Sequence, residues 1–268
     1  MPSLTDTLTA SLSSVTSVFI ASVVTAEHQE QYAQKGYFVL ERVIPPAHLE
    51  LLRAECGKLM QAMDAKMEDA NTDHMGLNFR QSRYFLSAWH QSEAIKEFVF
   101  SALMADICRA LLGPTAYLSF EQFVVKFPEK GMQFAWHQDS GYVPFPHRPY
   151  VSCWCTLDDV TEENGTVYLL PYDRAGTRDR VEHARDTATN DLVGYNGSDP
   201  GDPVIAPAGS IAIFSSTLFH RSGLNGSQGI RRIFLPQYSA EPIVKPDGSG
   251  PMYIAEPILK DNVRVAGI

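Results

Sequence analysis

The sequence predicts a mainly β fold, a sandwich or barrel with helices packed on its outside. Three observations carry this. From Thr115 to Tyr238, short runs rich in Val, Ile, Phe, Tyr and Thr alternate with Gly/Pro turns. Ahead of them, residues 27–114 carry stretches of helical periodicity. The chain has 268 residues, 44% hydrophobic and 20% charged, enough for a substantial core without staples. No linker-like stretch divides it, so one domain is expected over 1–268. Its parts are an N-terminal extension (1–26), a mostly helical preface (27–114), a β core (115–240) and a C-terminal segment (241–268).

The elements follow in order. Thr9 to Val24 reads as a strand, a helix or a tail. It is no secretory signal, because no Lys or Arg precedes Lys35, and its apolar run Val18–Val24 is too short for a bilayer. Thr25 to Lys35 carries helix formers broken at Gly36, and Tyr37–Ile44 reads as a strand ended by Pro45-Pro46. In His48–Lys66, Leu49, Leu52, Cys56, Leu59, Met60 and Met63 recur at helical spacing. Ala65–Gly76 reads as a loop, and Ser92–Leu112 as one helix closed by Gly113-Pro114. Strands are expected at Tyr117–Phe127, Gln133–Trp136, Tyr150–Leu157, Thr166–Leu170, Val204–Ala206, Ser210–Ser215 and Arg231–Tyr238. Arg174–Pro203 is long, polar and rich in Gly and Asp, and a mobile lid that orders on substrate binding is expected there.

Composition excludes some partners. A net charge of −9 argues against nucleic acid, whose phosphates reward clustered Lys and Arg. No membrane partner is expected, and the chain is expected to be a monomer or homodimer. Cys56, Cys108, Cys153 and Cys155 are too sparse for a zinc site and read as reduced structural thiols, which fits a cytoplasmic protein.

Chemistry concentrates in three places. In Trp136-His137-Gln138-Asp139, the side chains of His137 and Asp139 share one face of a strand and can grip one ion. His220 follows the apolar run Ser210–Phe219. Two His and one carboxylate form the facial triad of non-haem Fe(II) oxygenases, which leaves three coordination positions for co-substrate and dioxygen. Arg231-Arg232 opens the run RRIFLPQYS, and an Arg can hold the far carboxylate of a dicarboxylate through paired hydrogen bonds. The other histidines (28, 48, 74, 90, 147 and 183) lack ligand spacing and read as surface or packing residues.

Together these motifs resemble the phytanoyl-CoA hydroxylase (PhyH)-like family of Fe(II)/2-oxoglutarate-dependent dioxygenases. The elements are His137-Gln138-Asp139, then His220-x-Ser222-x-x-Asn225-x-Ser227, then Arg231 eleven residues past His220. Glu163-Asn164-Gly165 followed by Leu169-Leu170-Pro171, and the opening Gly36-Tyr37-Phe38-Val39-Leu40, are also similar. The resemblance covers about residues 27–240 and implies a double-stranded β-helix, a jelly-roll or cupin-like barrel. It implies Fe(II), 2-oxoglutarate and O2, with hydroxylation or another oxidation of an unactivated C–H bond of a small-molecule metabolite and release of succinate and CO2. It assigns His137, Asp139 and His220 to the metal. Arg231, rather than Arg232, goes to the distal carboxylate of 2-oxoglutarate by the family spacing, with Ser222 supporting it. Gln122, Phe134 and Trp154 match positions around that co-substrate. In similar proteins the stretch Leu77–Trp89 reaches over the site, so Arg80 or Arg83 is a candidate for holding an anionic substrate. Pro171 is followed by Tyr172-Asp173-Arg174, where the family often has Gly-Ser-His, so the substrate is not carried over. The alternative is a non-oxidative metal-dependent enzyme or a metal-binding protein on the same barrel.

Overall fold

The computed structural model describes residues 22–128, 133–187 and 191–265; the expected N-terminal extension, up to residue 21, lies outside them. The chain enters through helix α1 (Ala26–Lys35). The Thr25 hydroxyl caps it by accepting from the His28 amide, and Gly36 ends it at φ +88°. Strand β1 (Tyr37–Leu40) leads to α2 (Pro46–Asp69), which starts on a proline whose missing N–H needs no partner there. A small meander follows, β2 (His74–Met75), β3 (Asn78–Phe79) and β4 (Arg83–Leu86).

The expected single helix Ser92–Leu112 is two, α3 (Glu93–Val99) and α4 (Ala102–Leu112). Ser92 and Ser101 are the reason. Each hydroxyl accepts an amide three residues on, from Ile95 and Met104, so each starts its own helix.

The β region is β5 (Ala116–Lys126), β6 (Phe134–His137), β7 (Val151–Thr156), β8 (Val167–Leu170), the short α5 (Tyr172–Ala175), β9 (Ala184–Arg185), β10 (Leu192–Val193), β11 (Asp202–Pro203), β12 (Ile211–Ser215), β13 (Phe219–Ser222), β14 (Arg231–Ser239), β15 (Glu256–Lys260) and β16 (Val263–Arg264). A 10-stranded antiparallel sheet runs β1-β12-β7-β14-β5-β4-β3-β2, with β15 on the remaining length of β5 and β16 on β15. A 4-stranded sheet, β11-β8-β13-β6, faces it. The fold is a double-stranded β-helix with helices on the outer face of the larger sheet.

Period-two alternation divides the larger sheet into two surfaces. Phe123, Val125, Cys153, Cys155, Ile211, Ile213, Phe234 and Tyr238 pack under the helices with Leu52, Ile95, Phe98, Met104 and Ile107. Trp154, Ala212, Phe214 and Ile233 point the other way, into the barrel, against Val167, Leu169, Val204 and Leu218. All four cysteines are free and buried. Among the described residues no helix is long and apolar enough to cross a membrane.

Other boundaries differ from expectation: α2 runs to Asp69 and β2 forms, both inside the expected loop Ala65–Gly76, and β1 ends at Leu40. The run Ser210–Phe219 is not one strand. It turns after Ser215, where the Ser215 hydroxyl accepts from the Thr217 amide, so His220 sits inside β13 rather than after a strand. Val204–Ala206 makes only an isolated bridge, Val160 with Ala206, while β11 forms just before it.

Candidate metal centre and its anion pocket

His137 ends β6 and His220 lies opposite it on β13, in register. Asp139 follows at the first position of a 3-10 turn, Asp139–Tyr142. One ligand atom from each of the three lies within 4.8 Å of the others, and all three residues are brought together.

The orientation of each group follows from its partner. His137 Nδ1 is 2.7 Å from the Ala135 carbonyl oxygen, and His220 Nδ1 is 3.1 Å from that of Leu218. A carbonyl only accepts, so each Nδ1 carries the proton and each Nε2 keeps a lone pair. Burial, and next the nearby His220, holds the His137 imidazole well below its ordinary pKa, which keeps it neutral. Asp139 Oδ2 accepts from Ser152 Oγ at 2.5 Å and from Gln237 Nε2 at 2.8 Å, while Oδ1 faces His220 Nε2 at 3.5 Å. The carboxylate therefore has one oxygen fixed and one presented to the centre. Two imidazole nitrogens and one carboxylate oxygen on one side suit a divalent metal that keeps open positions, and among common metals Fe(II) above all.

Beside the triad stands a second cluster. Arg231, 1% exposed, opens β14; its Nη2 donates to the Gly165 carbonyl at 3.0 Å, and its Nε is buried without a hydrogen-bond partner. Its guanidinium carbon lies 5.6 Å over the Trp154 ring. Lys126, also 1% exposed, ends β5 opposite Arg231; its ammonium donates to Ser222 Oγ (2.7 Å) and the Gly223 carbonyl (2.6 Å) and lies 5.2 Å from the Phe134 ring centre. Ser222 in turn pairs with Phe134 across β13 and β6. The structure thus brings Arg231, Ser222, Phe134 and Trp154 together. Gln122 lies on the same face of β5 as Lys126, four residues earlier.

Two buried cations with no carboxylate between them are costly unless an anion joins them. Burial pushes the Arg231 guanidinium down to about 10. Burial, and then Arg231, lowers the Lys126 ammonium well below its ordinary value. A partnerless guanidinium nitrogen and a hydroxyl next to an ammonium fit one carboxylate of a dicarboxylate.

Arg232 takes the opposite face. Its Nε and Nη2 grip both oxygens of Asp158 at 2.9 and 2.6 Å. Arg83 stands across β5 from Arg231, in register with Lys126, so Arg83, Lys126 and Arg231 form a row over three adjacent strands. Its Nε donates to the Leu77 carbonyl and its guanidinium lies over Phe79. Arg80 is not brought to the centre. It lies in the turn between β3 and β4, where its Nη2 donates to the Asp64 carbonyl on α2 and its Nε is 4.0 Å from Asp73.

Sequence reasoning missed several residues. Lys126 carried a readable signal: a lone lysine in an apolar strand, two and four places from Val124 and Gln122 on one face. Tyr142 lies 5.7 Å from His137 ring to ring, and Ser152 and Gln237 hold the Asp139 carboxylate; no motif marks these. His147 and His183, expected as surface or packing residues, are half-buried and packed, and each also bonds to the metal-binding turn. His147 Nε2 is 3.0 Å from Ser140 Oγ, and His183 Nε2 accepts the Gln138 amide at 2.9 Å, so both bind the turn that carries Asp139. Their partners lie far away in sequence, which hides them from a reading by spacing.

The chain is 26% identical over 232 residues (80% of this chain, 78% of the relative) to a probable alpha-ketoglutarate-dependent hypophosphite dioxygenase of Stutzerimonas stutzeri. It is 27% identical over 231 residues (82% of each) to a methylphosphonate hydroxylase of Gimesia maris. The crystal structure of EctD from S. alaskensis with 2-oxoglutarate and 5-hydroxyectoine shares the fold, at TM-score 0.65 and 22% identity over 92% of this chain and 90% of that one. The profile of the phytanoyl-CoA dioxygenase (PhyH) family matches residues 32–233, a span that holds His137, Asp139, His220, Lys126 and Arg231. The chain belongs to the phytanoyl-CoA dioxygenase (PhyH) family of Fe(II)- and 2-oxoglutarate-dependent oxygenases.

Proposed function

We propose that this enzyme oxidises a small polar or anionic metabolite at a C–H bond, with His137, Asp139 and His220 as its iron ligands. The observation that carries this reading is the adjacency of the triad to the buried Arg231–Lys126–Ser222 cluster. When bound, iron and 2-oxoglutarate supply the activation of dioxygen and the oxidising power, with succinate and CO2 as the products of the co-substrate.

The residues of the chain do the rest. His137 and His220 present their Nε2 atoms to the metal because the Ala135 and Leu218 carbonyls hold their Nδ1–H groups. Ser152 and Gln237 hold Asp139 so that one oxygen faces the metal. Arg231, Lys126 and Ser222 take the distal carboxylate of 2-oxoglutarate, and Phe134 and Trp154 wall its chain, with Gln122 beside it. Arg83, next in the cationic row, takes an anionic group of the substrate, and Tyr142 lines the entrance. The name of the methylphosphonate hydroxylase points to small phosphonates, which carry a C–H bond, as the first class to try. The stretch 1–268 works as one dioxygenase domain, in a reducing, cytoplasmic setting that suits its unpaired thiols. Its partner is a small molecule, with neither nucleic acid nor membrane required, and it acts as a monomer or homodimer.

The test is succinate release from 2-oxoglutarate under air with added Fe(II), against a panel of alkylphosphonates, carboxylates and betaines. Substrate-stimulated succinate formation with an oxidised product supports the reading. No co-substrate turnover with Fe(II), and turnover without oxygen, would favour a non-oxidative metal enzyme.

A further inference from the structure

The triad's own turn is held from outside by one imidazole. Gln138, between the two ligands His137 and Asp139, is fully buried. Its amide N–H donates to His183 Nε2 at 2.9 Å. His183 Nδ1 is 3.0 Å from the Val181 carbonyl, so Nδ1 carries the proton and Nε2 is free to accept. The ring sits in a slot made for it. A Cβ on Gly141, in the metal-binding turn, would stand 2.6 Å from His183, and one on Gly194 would stand 2.5 Å from it. The Gln138 side chain closes the arrangement. Its Nε2 donates to the carbonyls of Asp179 (2.9 Å) and Thr217 (2.6 Å), and its Oε1 accepts from the Val181 amide (2.9 Å). The Thr217 end reaches the turn before His220. One residue therefore links both metal-bearing strands to the segment around His183.

We infer that His183 is a positioning residue for the iron centre, fixing the backbone between His137 and Asp139 through the Gln138 amide. Without it that amide is left unsatisfied inside the protein, and the angle between the two ligands is no longer set. The role rests on the metal assignment above. The chain's long polar segment is then part of the metal site's support.

Co(II) titration of the metal-free protein, read by its visible absorption, tests this without turnover. His183→Ala should lose about 10- to 100-fold in Co(II) affinity, with an altered spectrum. His183→Gln can accept from Gln138 through Oε1 and donate to Val181 through Nε2, and should recover most of both. Gly194→Ala, which evicts the ring while keeping the residue's own amide for the Trp136 carbonyl, should reproduce the loss. Affinity within threefold of wild type in His183→Ala, or no recovery in His183→Gln, overturns the proposal. If His183→Ala does not fold, Gly194→Ala decides, and wild-type affinity there overturns it. A wild-type protein that binds no Co(II) would overturn the metal centre and this role with it.

Discussion

At the scale of the residue, the site turns on which of two neighbouring arginines faces inward. Arg231 is buried beside Lys126 and Trp154, whereas Arg232 is spent on Asp158. Arg231→Ala should weaken 2-oxoglutarate binding by about 2–5 kcal/mol, the cost of removing a buried carboxylate's charged partner. Arg232→Ala should leave that affinity near wild type and cost only the modest stability of a half-buried ion pair. Calorimetric titration of the metal-loaded protein separates them, and equal losses would place the wrong arginine in the pocket. Lys126→Met should also weaken 2-oxoglutarate, since it removes the second cation of the pocket. Affinity unchanged in Lys126→Met would leave the ammonium a packing role only. His220→Ala removes a ligand outright and should abolish Fe(II) binding and turnover. Retained turnover would sink the triad.

At the scale of the element, the long segment Arg174–Pro203, expected as a mobile lid from its composition, is bonded at several points to the metal-bearing strands. It holds three short strands, β9, β10 and β11, and the last two residues of α5. Arg174 is paired with Asp199 and Asp202, which ties the two ends of the excursion together. The Gly194 amide donates to the Trp136 carbonyl, and Arg180 Nε to that of Ser140. These bonds fasten it to β6 and to the metal-binding turn. The segment is fastened by backbone bonds to the buried Gln138 and by Val181 and Tyr195 packed against Trp136 and Phe219. Tryptic cleavage after Arg180 should therefore be slow in the metal-free protein and much faster in Gln138→Ala, which loses the bonds to Asp179 and Val181. Equal cleavage rates in the two proteins, followed by mass spectrometry, would return the segment to the status of a free lid.

At the scale of the whole molecule, the larger sheet has a polar flaw on its helical face. Glu121 is 1% exposed, accepts the Ala88 and Trp89 amides with Oε1, and has a buried Oε2 without a partner. Burial raises its carboxyl to about 7, although the two amides pull the other way. The folded state thus holds a proton that the unfolded chain releases near the ordinary carboxyl value. This contribution to stability is fully present below about pH 4.5 and is lost as pH rises to about 7. Its size is on the order of 3 kcal/mol. Glu121→Gln keeps an acceptor for both amides and cannot titrate. Urea unfolding should show wild-type stability falling between pH 5 and 7 relative to Glu121→Gln, with the two curves parallel above pH 8. Parallel curves across pH 5–7 would mean that Glu121 is ionised in the folded protein.

Much of this protein was legible in its sequence. The short runs of β-branched and aromatic residues between Gly/Pro turns from Thr115 on declared a β core, because such side chains fit a pleated, buried surface. The triad was legible because His137 and Asp139 are two residues apart, and His220 and Arg231 stand at a family spacing. Only the tertiary structure decided what depends on contacts between distant segments. Strand register put Lys126 opposite Arg231 and Arg83 opposite Lys126, and no local pattern encodes register between β4, β5 and β14. Two serine caps split one periodic helix, since a hydroxyl that caps and one that merely tolerates a helix look alike in sequence. Arg80 was drawn to α2 and away from the centre by the Asp64 carbonyl. His183 found Gln138 across 45 residues, in a slot that two glycines leave open. Local sequence sets which side chains share a face; which faces meet, and which buried amide finds which acceptor, is settled by the packed chain as a whole.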